Sequence, residues 1–436
     1  MKISILSVFP EIYKNFLETS LVRRAQEAKL VEYELDSFKS FVAPKERIDA
    51  PAFGPGAGMV IKAEVVQKAI EAKEHKNGSA YKVFFSPQGK KLDQGLLRKI
   101  ANLAQKKGHL MLLPARYEGM DDRAEQHYAD EIISIGDFVL MGGDLPAMVF
   151  LEGLLRFIPG VVGKKESVEM ESFSGPFVDY PSYAEPVEWQ GHRVPDIVRS
   201  GNHEEIRKWR LKKSAEKTVL QHFNWMRSQP MDAEQKEFAK TFIPPHYVAL
   251  MHYEVLVRES EDKTGTTSVT SLDIHDIARS AKSFGLKNYF IVTPLVDQQK
   301  IVQKMIDFWN SDVGKGYNKC RFEAVKQVML KSSLEGAIAQ IEKQEGKKPL
   351  VIVTSAKSYK KSNVVTYREQ SKVWALGRPV LLLFGTGQGL SDDIMERADF
   401  VLVPVEGFSD YNHLSVRSAA AIIFDRWLGA NVKKLK

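Results

Sequence analysis

The chain is 436 residues long, more than one hydrophobic core comfortably serves, so two or three domains are expected. Hydrophobic residues make up 44% and charged ones 27%, an ordinary balance for a soluble globular protein, and the net charge of +7 suggests an acidic partner, with nucleic acid first. The single cysteine, Cys320, excludes an intrachain disulfide framework and a multi-cysteine zinc site and fits a reducing cytoplasm.

In chain order, residues 3–8 read as an opening strand, too short and without the small-residue cleavage site of a signal peptide. No run of 18 apolar residues follows anywhere, so no membrane span is expected. Further strands are expected over 33–37, 83–85, 110–113, 131–135 and 138–141, with helices over 10–28, 63–74, 93–106 and 145–157 between them. This alternation argues an α/β domain with a mostly parallel sheet. A glycine-rich loop, Gly54-Pro55-Gly56-Ala57-Gly58, and a turn, Ser86-Pro87-Gln88-Gly89, interrupt it. Residues 161–190, punctuated by Gly163, Gly175, Pro176, Pro181 and Pro186, read as a linker or lid. Residues 196–240 read as all helix. Ile243-Pro244-Pro245 marks a boundary, and beyond it strands over 248–256, 288–292, 350–354, 380–384 and 400–402 alternate with helices over 273–284, 295–309 and 414–428.

One stretch concentrates the turn chemistry. Gly136-Asp137 follows a strand, Gly142-Gly143 follows a second apolar piece, Asp144 stands as an N-cap candidate, and Pro146 lies just inside a helix. No Gly-x-Gly-x-x-Gly and no Gly-Lys-Ser/Thr signature occurs, so ordinary dinucleotide and P-loop sites are unsupported. The loops 86–89, 114–119 and 134–146 each follow a strand, where ligands of open α/β sheets bind.

Over residues 1–240 the chain resembles the bacterial tRNA (guanine37-N1)-methyltransferase family, TrmD. The likeness rests on Ser86-Pro87-Gln88-Gly89, Arg116-Tyr117-Glu118-Gly119-Met120-Asp121, Ser134-Ile135-Gly136-Asp137-Phe138-Val139-Leu140, Gly142-Gly143-Asp144-Leu145-Pro146-Ala147, Arg156-Phe157-Ile158-Pro159-Gly160 and Ser200-Gly201-Asn202-His203-Glu204-Glu205, continuing to Arg210. The resemblance implies a SPOUT methyltransferase with a trefoil knot, rare among proteins. It implies S-adenosylmethionine bound on the backbone of Ser134, Ile135, Gly136, Asp137, Phe138, Val139, Leu140, Gly142, Gly143 and Pro146. Phe85, Ser86, Pro87, Gly89, Ala115, Tyr117, Glu118 and Gly119 would wall that pocket. It also implies a homodimer through this domain and a use of magnesium, while no metal-ligating residue is assigned.

Methylating guanine N1 requires removing its proton as the methyl group arrives, and negative charge develops on the adjacent O6. A carboxylate near N1 serves as general base, and a guanidinium near O6 stabilises the charge. By motif position Arg156 matches the family's catalytic arginine. The family's catalytic aspartate precedes a Ser-Phe pair; here Glu171 precedes Ser172-Phe173. The reference pKa barely changes, roughly 4.3 against 3.9, but the carboxylate moves by a methylene, and misplacement of about 1 Å can cost about 100-fold. Asp179, before Tyr180-Pro181, is the second candidate base.

Arg207, Lys208, Arg210, Lys212 and Lys213 cluster around Trp209; as part of the motif they suggest phosphate contact with the tRNA anticodon arm, together with Ser200, Asn202 and His203. The second half resembles SpoU-type ribose 2′-O-methyltransferases less specifically, through residues 273–285, 384–390, 404–408 and 411–416. Asp273, His275, Thr386-Gly387-Gln388 and His413 depart from that pattern. The likeness implies a second S-adenosylmethionine site on Leu383, Phe384, Gly385, Thr386, Gly387, Gly389, Val403, Val405, Gly407, His413, Leu414 and Ser415, with Arg279 helping to deprotonate a ribose hydroxyl. The alternative is an inactive second domain that binds RNA or docks. The expected fold class is α/β: a SPOUT domain over 1–163, a lid over 164–195, a small all-helical RNA-binding domain over 196–242, and a second SPOUT-like domain over 246–436. A rival reading makes the whole chain a non-catalytic RNA-binding or chaperone-like protein.

Overall fold

A computed structural model describes residues 1–55, 58–163, 171–258, 263–359 and 363–430. Gly56-Ala57 of the glycine-rich loop and residues 164–170 of the expected lid lie outside the described residues. The chain divides into two compact units, Met1–Ser174 and Gly175–Lys436.

The first unit contains β1 (Lys2–Ser7), β2 (Glu32–Ser37), the antiparallel pair β3 (Asp49–Pro51) and β4 (Met59–Ile61), β5 (Tyr81–Lys91), β6 (His109–Pro114) and β7 (Glu131–Ser134). Five of these form a parallel sheet in the order β2-β1-β6-β5-β7. Alternate residues feed two cores, as the strand period of two requires. Ile5, Val83, Leu112 and Ile133 join residues of the helices Ser20–Glu27, Gln94–Lys107 and Asp144–Leu155 on one face. Leu6, Phe84, Met111 and Leu113 join those of Ala63–Asn77 on the other. Local chemistry sets the helix ends: the Asp93 carboxylate accepts from the Leu96 N–H at 2.7 Å, and Gly108 closes the same helix at φ +76°.

Two expected elements differ. The helix expected over 10–28 is a 3-10 turn, Pro10–Tyr13, then Lys14–Leu17 and Ser20–Glu27; Ser20 sits at φ +46°, which no helix continues through. The strand expected over 138–141 is an exposed loop. Ser134 closes a tight turn, its hydroxyl donating to the Gly136 carbonyl and accepting from the Gly136 N–H, and Phe138, Val139, Leu140 and Met141 stand exposed. A short apolar run does not by itself distinguish a strand from an exposed apolar loop.

The second unit opens with the hairpin β8 (Glu188–Trp189) and β9 (His192–Arg193) and the helices Asp196–Arg199, His203–Gln221, Phe223–Met226 and Ala233–Phe242. Its remaining strands are β10 (His246–Met251), β11 (Tyr253–Arg258), β12 (Lys263–Thr266), β13 (Tyr289–Val292), β14 (Val328–Lys331), β15 (Leu350–Val353), β16 (Val364–Val365), β17 (Val380–Gly385) and β18 (Phe400–Leu402). Seven are parallel, in the order β14-β13-β10-β17-β15-β18-β16. Val248, Leu250, Leu382 and Phe384 point into one core, and Ala249, Met251, Leu381 and Leu383 into the other. The first of these cores also takes Ala215, Val219 and Phe223 from the preceding helices, with Phe223 edge-on to Trp374 at 4.6 Å. The strand expected over 248–256 breaks at the fully buried His252, after which β11 leaves the sheet to pair with β12. The short strand β14 and the helices Asp312–Tyr317, Lys319–Val325 and Leu334–Glu345 were not expected from the sequence. No helix among the described residues is long and apolar enough to cross a membrane.

Candidate cofactor loops and their neighbours

In the first unit the three expected loops meet because β6, β5 and β7 are neighbours in the sheet. Ser86-Pro87-Gln88-Gly89 is not a turn: β5 continues to Lys91, with a register shift against β7 between Phe85 and Lys90. Gly89 is required there, since a Cβ would lie 2.6 Å from the Ile132 carbonyl. Phe85 packs edge-on against Phe150 in the core, so only its backbone is available to a ligand.

The loops after β6 and β7 are tied directly. The Gly143 N–H donates to the Ala115 carbonyl at 2.7 Å, and Arg116 forms an isolated antiparallel bridge with Gly142. A Cβ on Gly143 would stand 2.8 Å from the Ala115 nitrogen. The glycine pair therefore answers to close backbone approach. Asp144, expected as an N-cap, is instead the first residue of its helix behind the N-cap Gly143. Its carboxylate is buried and accepts from Ser7 Oγ at 2.6 Å, Tyr13 OH at 3.0 Å and Arg116 Nε at 2.6 Å. Burial and the Asp144 charge push the Tyr13 hydroxyl well above its ordinary range. Pro146, buried, occupies the helix's first turn, where its missing N–H removes no helical bond. Tyr117 and Gly119 both take positive φ, and the Glu118 N–H donates to the Met59 carbonyl at 3.0 Å, fastening this loop to β4. Ile135 is half-buried, and the exposed Asp137 meets Lys91 at 2.6 Å.

Arg156 and Glu171, 15 residues apart, are brought into an ion pair. The other Glu171 oxygen accepts from Gln94 Nε2 at 2.9 Å, and the Glu171 side chain is 15% exposed. Asp179 belongs to the second unit.

The basic helix is less bare than its sequence suggests. Arg207 pairs with both Glu204 and Glu234, which raise its pKa, and Lys208 lies 3.5 Å from Glu205. Arg210 stacks over Tyr180 at 4.4 Å, and Lys212 is exposed. Asn202 caps the helix through the Glu205 N–H, the Ser200 hydroxyl donates to the Ile197 carbonyl, and His203 is exposed.

In the second unit, loops following β12, β15, β17 and β18 surround an open cleft of about 800 Å³, large enough for a nucleoside cofactor. Phe384, Gly385, Thr386, Gly387, Gly389, Val405, His413, Leu414 and Ser415 line it. Leu383 is core, Gly407 is exposed, and the Val403 N–H is spent on the Val365 carbonyl. Gly387 takes φ +61° with its Cα against the Leu256 carbonyl, where a Cβ would approach to 2.8 Å. Thr386 donates to the Met251 carbonyl at 2.8 Å and contacts the Thr267 hydroxyl.

Arg279, expected at this cleft, does not line it. Six residues beyond Asp273, it lies about 120° around the helix Ser271–Ser283 and borders a separate hollow with Asp276, Ser280, Ser283 and Arg417. The sequence reading missed Arg417, which borders both cavities, and Asp273, which it noted only as a departure. The signal was available for Arg417: it stands in the first turn of a helix, two residues after the expected ligand Ser415. Among the described residues no group of three or more His, Cys, Asp or Glu side chains is placed to hold a metal.

Residues 1–228 match the family model described as tRNA (Guanine-1)-methyltransferase TrmD, and residues 245–429 match that of a SAM-dependent RNA methyltransferase. A protein of Nitratidesulfovibrio vulgaris named tRNA (guanine-N(1)-)-methyltransferase is 35% identical over 435 residues, 98% of this chain and 99% of its own. A namesake in Oleidesulfovibrio alaskensis is 36% identical over the same shares. One in Dictyoglomus turgidum, 38% identical over 238 residues, covers 54% of this chain and 94% of its own length.

Proposed function

We propose that this chain, which belongs to the tRNA (Guanine-1)-methyltransferase TrmD family, methylates guanine N1 at the position 3′ of the tRNA anticodon with its first unit. The Arg156–Glu171 pair carries this reading. Guanine presents an N1–H donor beside an O6 acceptor, and a carboxylate beside a guanidinium is the complementary arrangement. S-adenosylmethionine, when bound, supplies a methyl group made electrophilic by its sulfonium. Glu171 accepts the N1 proton, and Arg156 donates to O6 as charge builds there. Each must leave the other to do so; the base inserts at their pair, and Gln94 holds the carboxylate in place. Asp179 remains the second candidate base.

The loops 114–119 and 134–146, tied by the Gly143–Ala115 hydrogen bond and with close backbone approach at Gly143 and Gly89, support a cofactor held by backbone in a trefoil knot. The exposed run 138–141 supports a homodimer formed through this unit, since four adjacent apolar side chains are costly to leave in water. The helices from Asp196 to Phe242 would position the anticodon arm, with Arg210 and Lys212 supplying charge beyond what Glu204, Glu205 and Glu234 neutralise. A cytoplasmic location follows from that substrate.

The second unit we read as a further S-adenosylmethionine-dependent RNA methyltransferase, with ribose 2′-O transfer as the reaction, supported by the glycine-lined cleft. A docking role is the alternative, favoured by the core it shares with the helices before it.

The test incubates the full chain with methyl-labelled S-adenosylmethionine and unmodified tRNA transcripts, with guanine or adenine 3′ to the anticodon. Label recovered as N1-methylguanosine from the first transcript and not at that position of the second is expected. Label absent from that guanine overturns the proposal.

A further inference from the structure

The cleft of the second unit holds a buried carboxylate beside a partly exposed guanidinium, which its glycine loops do not explain. Asp273 is 7% exposed and lines the cleft. Its Oδ2 accepts from the Thr270 hydroxyl at 2.6 Å, while its buried Oδ1 accepts no hydrogen bond. Arg417 Nη1 lies 3.5 Å from that Oδ1, close enough for attraction but not bonded, and Arg417 Nε lies 3.7 Å from Asp276. A buried carboxylate oxygen without a donor is costly, and such groups normally find a partner. The Asp273 side chain lines the cleft, and the neighbouring guanidinium, 38% exposed, still has N–H groups to offer.

We propose that Asp273 and Arg417 bind the amino-acid end of the cofactor in this second site. A ligand with a carboxylate and a cationic centre a few atoms apart satisfies both residues together. Arg417 takes the carboxylate in a charge-assisted contact. Asp273 would take the ammonium. The glycine loops hold the nucleoside, and this pair selects the charged tail. The idea rests on the reading of the second unit as an S-adenosylmethionine site. It departs from the assignment of Arg279, whose hollow is distinct from the cleft.

The test is calorimetric titration of the full chain with two ligands. S-adenosylmethionine has the charged tail; 5′-methylthioadenosine keeps the nucleoside and the sulfur but has neither tail nor sulfonium charge. The native chain is expected to bind two equivalents of S-adenosylmethionine per chain. In Arg417→Ala and in the isosteric Asp273→Asn, one equivalent should weaken by about 10- to 100-fold while the other is unchanged. Methylthioadenosine affinity should stay within about twofold of native at both sites. If the native chain binds one equivalent, the second-site reading fails. If it binds two and the variants leave S-adenosylmethionine unchanged, or weaken both ligands alike, the role of the pair is overturned. Weakened RNA binding with cofactor affinity intact would reassign the pair to the acceptor.

Discussion

At the scale of single residues, charge placement decides most of the account. Glu171 stood out as a candidate base only through its neighbours Ser172-Phe173; what sequence could not show is that Gln94, 77 positions away, holds one of its oxygens. Gln94→Ala should lower methyl transfer by about tenfold through loss of that orientation, without the full loss expected on removing the base itself. Single-turnover rates check this, and an unchanged rate would contradict it. Asp144 makes the opposite lesson. Read as a helix cap, it is a buried carboxylate held by Ser7, Tyr13 and Arg116. Caps are short-range and visible in sequence, whereas a partner 137 positions distant is not. Arg116→Met should cost about 3 kcal/mol of stability by leaving the carboxylate without its cation. Chemical denaturation measures it, and a loss below about 0.5 kcal/mol would place the pair among ordinary surface contacts.

Among elements, the parallel strands were legible because each is a short apolar run followed by turn chemistry, as in 3–8, 110–113 and 380–384. The break at His252 was not, because apart from Glu254 the segment from Val248 to Leu256 is apolar on both sides of it, and only the pairing of β11 with β12 ends the sheet strand. The edge strand β14 escaped notice for a related reason: four residues carry too little period to read. The glycine loops were found as turns, but their cause is the neighbouring chain. Gly143→Ala places a methyl group 2.8 Å from the Ala115 nitrogen. The loop must shift, and one of the two cofactor equivalents expected in calorimetry should be lost. Two equivalents at native affinity would contradict the placement of the first site on these loops.

For the whole molecule, the second unit carries two buried neutral histidines. Burial lowers His246 to about 4, against a bond to the Pro244 carbonyl, and lowers His252 to about 4, against the Asp273 charge. The His246 ring accepts from the Trp427 indole N–H at 2.9 Å, which requires the neutral form. Unfolding returns both to ordinary values near 6.5, so the unfolded chain binds protons that the folded chain refuses. Stability from this source is complete above about pH 6.5 and is lost as pH falls toward 4, by up to about 3 kcal/mol for each histidine. Denaturation midpoints should therefore fall between pH 7.5 and pH 5, with both imidazoles still neutral at pH 5 by NMR; titration of either near 6.5 would contradict it.

Two α/β regions with parallel sheets were legible from length and from the alternation of strand and helix signals on both sides of Pro244-Pro245. The division at 174/175 was not, because Ala215, Val219 and Phe223 read as an ordinary apolar helix face until their partners in the second sheet are seen. The central claim is that Glu171 and Arg156 act on guanine N1. Its most direct measurement is single-turnover methylation of unmodified tRNA by the native chain and by Glu171→Gln, with the nucleoside product identified. N1-methylguanosine from the native chain, formed about 100- to 10,000-fold more slowly by the variant with tRNA affinity retained, is the expected result. Native rates in Glu171→Gln, with Asp179→Asn inactive, would move the base to Asp179 and contradict it.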